Sequence, residues 1–229
     1  MAATVHLTGE PKSWAVVPLG PFGARVAELL AAGRPWCAVV PDGAAEAAFD
    51  MGADLVIAAL WRPSPALCEC ADTLSFSLGL PWLPLTMDQR RIHVGPLVVP
   101  PRGPCHGCLR RRLAQHDRHY QETRALNEAF DRDAGCGPGG YLPHHARLAA
   151  AMVRHLADGG WSPDPAGSGQ EADHGSVVTI SLPDCVITAD HVVTCHDCIR
   201  CWPGGARSPG TGTITQVLAR AAAANTGTT

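Results

Sequence analysis

The sequence predicts an α/β protein, built on a mostly parallel, doubly wound sheet that ends in an antiparallel hairpin and is held by a metal staple. Three observations lead there. Short apolar runs alternate with amphipathic stretches from Ser13 to Met87, the order expected of βα units that cover both faces of one sheet. The stretch "SVVTISLPDCVITADHVVT", residues 176–194, reads as paired strands around a turn at Pro183–Asp184. One C-x-x-C pair, Cys105 and Cys108, follows the alternating region, and another, Cys198 and Cys201, follows the hairpin. An ion shared by both pairs would join the halves of the chain.

The elements follow in order. "SWAVVPLGPFGARVAELLAAG", residues 13–33, is an apolar strand, a glycine loop and an amphipathic helix that ends at Gly33. "PWCAVV" is a second short strand, "PDG" a turn and "AAEAAFDMG" a short helix. "ADLVIAAL", Ala53 to Leu60, is apolar without a break from Leu55 on, as a parallel strand buried on both faces requires. A helix follows, with Ser64 as its N-cap and Gly79 after its end. "PWLPLTM" is a fourth strand, and "RIHVGPLVVPP" is extended. Residues 109–130 read as one helix rich in Arg and His, "DAGCGPGGY" as a break, and residues 142–160 as a helix with Pro143 in its first turn. Residues 161–175 have the composition of a linker, and the tail from Pro203 is rich in Gly, Thr and Ala. The expected organisation is an N-terminal extension over 1–12, an α/β domain over 13–203 and a flexible tail over 204–229.

Charge and composition exclude several classes. The chain carries 18 basic and 21 acidic residues, a formal charge of −3. That gives no basic excess for nucleic acid or a membrane surface. No apolar run has the roughly 18 residues of a membrane helix. The start, "MAATVHLTGEPKSW", has no basic segment followed by an apolar core, so a cytoplasmic location is expected. In that setting the 10 cysteines read as metal ligands or buried thiols before disulfides.

Cys105, Cys108, Cys198 and Cys201 supply the thiolates of a tetrahedral, closed and therefore structural Zn²⁺ site, with Cys195 as the alternative fourth ligand. His106 and His196 lie inside the turns and are not needed. A redox role for Cys105 and Cys108 would require the pair to open a helix in a thioredoxin-like layout, and it lies instead after several βα units and a proline-rich stretch. "PCHGC" matches half of a zinc deaminase signature, but the upstream histidines, His6 and His93, lack the glutamate two residues on. Cys37, Cys68, Cys70, Cys136 and Cys185 are read as buried or incidental, and His116, His119, His144 and His145 as surface side chains.

The loop "PLGPFG" stands where a nucleotide-binding glycine loop would stand, with Gly20 and Gly23 in place and Asp42 where a ribose-binding acid is expected. Pro18 replaces the first glycine, and Pro18 and Pro21 remove N–H donors that could hold phosphate. Gly20, Gly23 and Asp42 are therefore read as the remnant of a nucleotide site. Arg110, Arg111 and Arg112, beside the first cysteine pair, are candidates to meet an acidic peptide or partner surface.

The block "VGPLVVPPRGPCHGCLRRRL" and the late "CHDCIRC" resemble the ThiF-like, ubiquitin-activating-enzyme-like components of thiazole/oxazole-modified (TOMM) peptide and thiopeptide biosynthesis, including the leader-peptide-binding proteins of that group. The resemblance spans about residues 13–203. It implies a homodimeric, ThiF-like, Rossmann-type fold with a structural zinc. It also implies a non-catalytic role as partner to a YcaO-type cyclodehydratase, helping present a ribosomal precursor peptide whose Cys, Ser or Thr side chains are cyclised. Many members open with a winged-helix-like recognition domain. This chain reaches its first strand near Ser13, so that domain is expected to be absent or supplied by a separate recognition-domain protein. Adenylating relatives need a lysine, arginines and a magnesium-binding aspartate after the third strand. Here that strand runs into "AALWRPS", Lys12 is the only lysine, and only Arg25 and Arg62 remain. ATP use by this chain is thus not expected. The alternatives are an ATP-dependent adenylating enzyme of the same fold and a zinc-stabilised interaction module of another pathway.

Overall fold

The computed structural model describes residues 13–41, 43–101, 103–133, 135–158 and 175–201. Asp42, Arg102, Ala134 and residues 1–12, 159–174 and 202–229 lie outside the described residues, and with them the expected N-terminal extension, nearly all of the expected linker over 161–175 and the expected tail over 204–229.

A seven-stranded sheet carries the molecule, in the order β2-β1-β3-β4-β5-β6-β7. β1 (Trp14–Leu19), β2 (Cys37–Val39), β3 (Leu55–Leu60) and β4 (Trp82–Met87) pair in parallel. β5 (Arg91–Val94), β6 (Ser176–Ser181) and β7 (Ile187–His191) extend the same sheet in antiparallel register, with Ile92 opposite Ile180 and Thr179 opposite Thr188. The expected hairpin is therefore not a separate layer but the far edge of the main sheet.

The strand pleat sends alternate side chains to opposite faces, and each face has its own core. Trp14, Val16, Leu55, Ile57, Leu83 and Leu85 meet helices α1 (Gly20–Ala31) and α6 (Pro143–Ala157) through Phe22, Val26, Leu30, Ala149 and Val153. Ala15, Val17, Val56, Ala58 and Trp82 meet α2 (Ala45–Asp50) and α3 (Pro65–Leu78) through Phe49, Cys68 and Ala71. No described helix is long and apolar enough to cross a membrane.

Two local expectations are corrected. The Arg- and His-rich segment is not one helix but α4 (His106–His116) and α5 (Tyr120–Arg132). The Asp117 carboxylate accepts the His119 N–H at 2.8 Å, a local turn that competes with continued helix. Ser64 holds the N-cap position of α3, as expected, but does not cap it with its side chain. Asp131 of α5 does so from a distance, taking the Ala66 N–H at 3.2 Å and the Ser64 hydroxyl at 3.3 Å.

Gly23 is the closest approach of α1 to the sheet, where a Cβ would collide with the Ala59 carbonyl oxygen. Gly23→Ala is expected to cost about 1–3 kcal/mol, as overpacked sites do. A denaturant midpoint equal to that of the parent protein would contradict this packing.

Candidate metal centre and sheet crevice

The first cysteine pair is set by a helix start. Cys105 is the N-cap of α4 in extended conformation and Cys108 lies in its first turn, with the Cys108 N–H donating to the Cys105 carbonyl at 3.0 Å. The second pair lies on the turn after β7, where Asp197 takes a left-handed φ of +61° and the Cys198 N–H donates to the Cys195 carbonyl at 3.2 Å. Together they bring the Sγ atoms of Cys105, Cys108, Cys198 and Cys201 to within 4.8 Å of one another, all buried. Cys105 and Cys108 are 3.8 Å apart, Cys105 and Cys198 3.7 Å, and Cys108 and Cys201 3.4 Å. A zinc tetrahedron with Zn–S of about 2.3 Å has edges of about 3.8 Å. The group could hold a metal ion, and four sulfurs would leave it no open position.

Cys195 stands outside this group. Its backbone N–H donates to the Cys108 sulfur at 3.3 Å and its thiol to the Cys108 carbonyl at 3.7 Å. Burial pushes the thiols of Cys105 and Cys201 up, the latter to about 12. Burial acts the same way on Cys198, but hydrogen bonds from its surroundings, led by the Cys201 and Arg200 backbone, outweigh it and bring it to about 7.

Asp72 organises the centre and carries no signal in the sequence. This carboxylate on α3 is fully buried. It accepts the Trp82 indole N–H at 2.9 Å and the backbone N–H groups of His106 and Gly107 at 3.2 and 3.0 Å. An anion at the first turn of α4 also meets the helix dipole favourably. Arg200, between the cysteines of the second pair, reaches Asp72 at 3.3 Å and also pairs with Glu69. One buried carboxylate thus links α3, β4, α4 and the C-terminal turn.

Arg110 and Arg111 are exposed on α4, and Arg112 is half-buried with no hydrogen-bond partner for its Nε among the described residues. His116, His119 and His144 are exposed, whereas His145, expected on the surface, is buried. Cys37 and Cys68 are buried, and Cys70, Cys136 and Cys185 are partly exposed.

The crevice of the sheet lies between β1 and β3, where the strand order turns back, the usual ligand position of such folds. Gly20 closes β1 there with φ of +68°. Directly over it lies the indole of Trp61, the residue after β3, which packs against Gly137 on its other side. A cavity of about 430 Å³ remains beside the indole, lined by Pro21, Trp61, Met87, Tyr141 and the glycine-rich loop over 135–140. Arg25 pairs with Glu28 at 2.7 Å. Arg62 is buried, bonded to the carbonyls of Pro63 and Asp133 and stacked on Phe130 at 5.0 Å. Arg62 is thus held inside the fold, whereas Arg25 is exposed.

No family model and no curated protein matches the sequence. Solved structures do share its fold. The heterocyclase TruD aligns with a TM-score of 0.55 at 16% identity, over 88% of this chain and 29% of TruD. The E. coli microcin synthetase McbBCD complex with pro-MccB17 bound aligns with a TM-score of 0.55 at 12% identity, over 88% of this chain and 72% of that one. E. coli MccB with MccA aligns with a TM-score of 0.52 at 12% identity, over 86% of this chain and 69% of MccB. The chain spans less than a third of the TruD chain it matches. At these identities the likeness establishes a common α/β fold.

Proposed function

We propose that this chain is a ThiF-like subunit, without adenylating chemistry of its own, that partners a YcaO-type cyclodehydratase in the biosynthesis of azoline- and azole-containing ribosomal peptides. Its fold is shared with a heterocyclase and with a microcin synthetase complex holding its precursor, and the cysteine blocks resemble those of TOMM components. The observation that carries the non-catalytic reading is Trp61. Its indole lies over Gly20 at the switch point, where a nucleotide would pack against the glycine loop. Gly20 and Gly23 then serve packing, and Asp42 is not needed as a ribose ligand.

In this reading Cys105, Cys108, Cys198 and Cys201 bind Zn²⁺ as thiolates, and the ion joins α4 to the segment leaving β7. The zinc is structural, because the closed sulfur set admits no substrate. The protein is a homodimer that helps present the precursor. Arg110, Arg111 and Arg112 contact the cyclodehydratase or the peptide, where charge complementarity sets association rate and partner choice. Ring formation itself, in which a Cys, Ser or Thr side chain adds to the preceding carbonyl and water is lost, belongs to the partner.

The test is copurification of the tagged protein with candidate YcaO-type cyclodehydratases, with and without precursor peptide, alongside a pyrophosphate-release assay. The expected result is a complex with one cyclodehydratase, slowed in assembly by Arg110→Glu with Arg111→Glu, and no pyrophosphate from this chain with ATP and peptide. Robust pyrophosphate release by the isolated chain would establish the adenylating alternative. No complex with any cyclodehydratase would favour an interaction module of another pathway.

A further inference from the structure

Away from the four-sulfur group, the start of α6 and the β6–β7 turn bring together a different ligand set. Ligand atoms of His144, His145 and Cys185 lie within 4.8 Å of one another. His144 and His145 open α6 just after Pro143, with ring centroids 4.3 Å apart. His145 is buried, and its Nε2 lies 3.2 Å from the Leu182 carbonyl oxygen. A carbonyl only accepts, so Nε2 carries the proton and Nδ1 keeps the lone pair. A ring N–H tied to a backbone carbonyl is how metal-binding imidazoles are commonly oriented. The carbonyl belongs to the turn that carries Cys185, so the hydrogen bond fixes the histidine relative to the thiol.

Cys185 itself has a left-handed φ of +56°, with its N–H bonded to the Ser181 carbonyl at 2.9 Å. A side chain in that region costs free energy that glycine or asparagine largely avoids. Packing does not account for it, since Cys185 is partly exposed. A cavity of about 410 Å³, bordered by Met87, Tyr141, Leu142 and Leu182, opens beside His145.

We propose that His144, His145 and Cys185 form a second metal site, which takes Zn²⁺ with three protein ligands and leaves a fourth position for water. Two imidazoles and a thiolate suit this borderline-soft ion. Binding converts the Cys185 thiol to a thiolate and releases its proton to solvent, while the imidazoles bind as neutral rings. The open position makes the ion exchangeable, unlike one closed in by four sulfurs. This site does not depend on the proposed cyclodehydratase partnership.

The test is equilibrium dialysis of the full-length protein against graded Zn²⁺, with metal counted by elemental analysis and Cys185 followed by alkylation. His145→Ala would remove a buried, bonded side chain, so the informative variants are His144→Ala and Cys185→Gly. His144 is exposed, and glycine suits the backbone at 185, so neither change threatens the fold. The parent protein should take up about one more ion than either variant, or bind it at least about 10–100-fold more tightly, since losing a direct ligand costs no less than losing a group that only supports one. Zinc should slow alkylation of Cys185 in the parent and not in His144→Ala. Equal uptake by parent and variants would overturn the site and assign any extra zinc to other surface groups.

Discussion

Replacing Cys198 with serine is expected to strip the metal from the protein and release the C-terminal turn. Four sulfurs at tetrahedral spacing could share one ion, and loss of one ligand would then weaken the hold of the others. Structural zinc contributes roughly 10–16 kcal/mol to the folding of small zinc-finger peptides. Here the sheet has its own apolar cores on both faces, so the damage should be local rather than global. Cys105→Ser should act in the same way, with a loss on the order of 3 kcal/mol or more, the scale of breaking a buried charged assembly. Elemental analysis should show about one ion fewer per chain in either variant, and hydrogen exchange should rise over residues 192–201 while β1, β3 and β4 stay protected. Unchanged metal content, or no metal in the freshly purified parent, would contradict the staple.

Asp72→Ala is expected to be nearly as damaging, although Asp72 touches no sulfur ligand through its own side chain. Its removal leaves the Trp82 indole N–H and the first N–H groups of α4 without their acceptor, and leaves the Arg200 guanidinium with Glu69 as its carboxylate. A buried donor left without its acceptor costs about 1–3 kcal/mol, and three backbone and indole N–H groups lose theirs here. Asp72→Asn keeps the shape but loses the charge, so it should fall between parent and alanine. The neighbouring Glu69 is held below its usual carboxyl value first by its hydrogen bond from Arg200. That contribution is full above the unfolded pKa and fades as pH falls through the folded one. Urea melts of the three proteins, read with zinc content, check the account. An alanine variant as stable as the parent would show that Arg200 and α4 find other partners.

Much of this architecture is legible in the sequence because it rests on local patterns. The apolar run within Ala53 to Leu60 has the length and the β-branched content of a doubly covered strand, and Leu55–Leu60 is β3. Each C-x-x-C spacing marks a turn that can present its sulfurs to one ion, and the structure brings the sulfurs of Cys105, Cys108, Cys198 and Cys201 together. What escaped notice is what only tertiary contact decides. Asp72 reads as an ordinary polar residue in mid-helix, yet the α4 start folds over it. Trp61 reads as the end of a buried strand, and nothing nearby in sequence announces that it covers Gly20 and packs on Gly137 from a loop more than seventy residues away. The choice between Cys201 and Cys195 is open in the sequence, where both lie one turn from Cys198. The observed turn points the Cys195 thiol at a carbonyl instead. His145 looks like a surface residue beside His144, but the first turn of α6 rotates it toward Leu182.

The measurement that bears most directly on the proposed role is reconstitution of heterocyclisation from purified components: this chain, a YcaO-type cyclodehydratase, the precursor peptide and ATP, followed by mass spectrometry of the peptide. The account predicts water loss from the peptide when chain and cyclodehydratase are combined, a much slower reaction when this chain is omitted, and none with this chain alone. Ring formation at the same rate without this chain, or adenylation of the peptide by this chain alone, would contradict it.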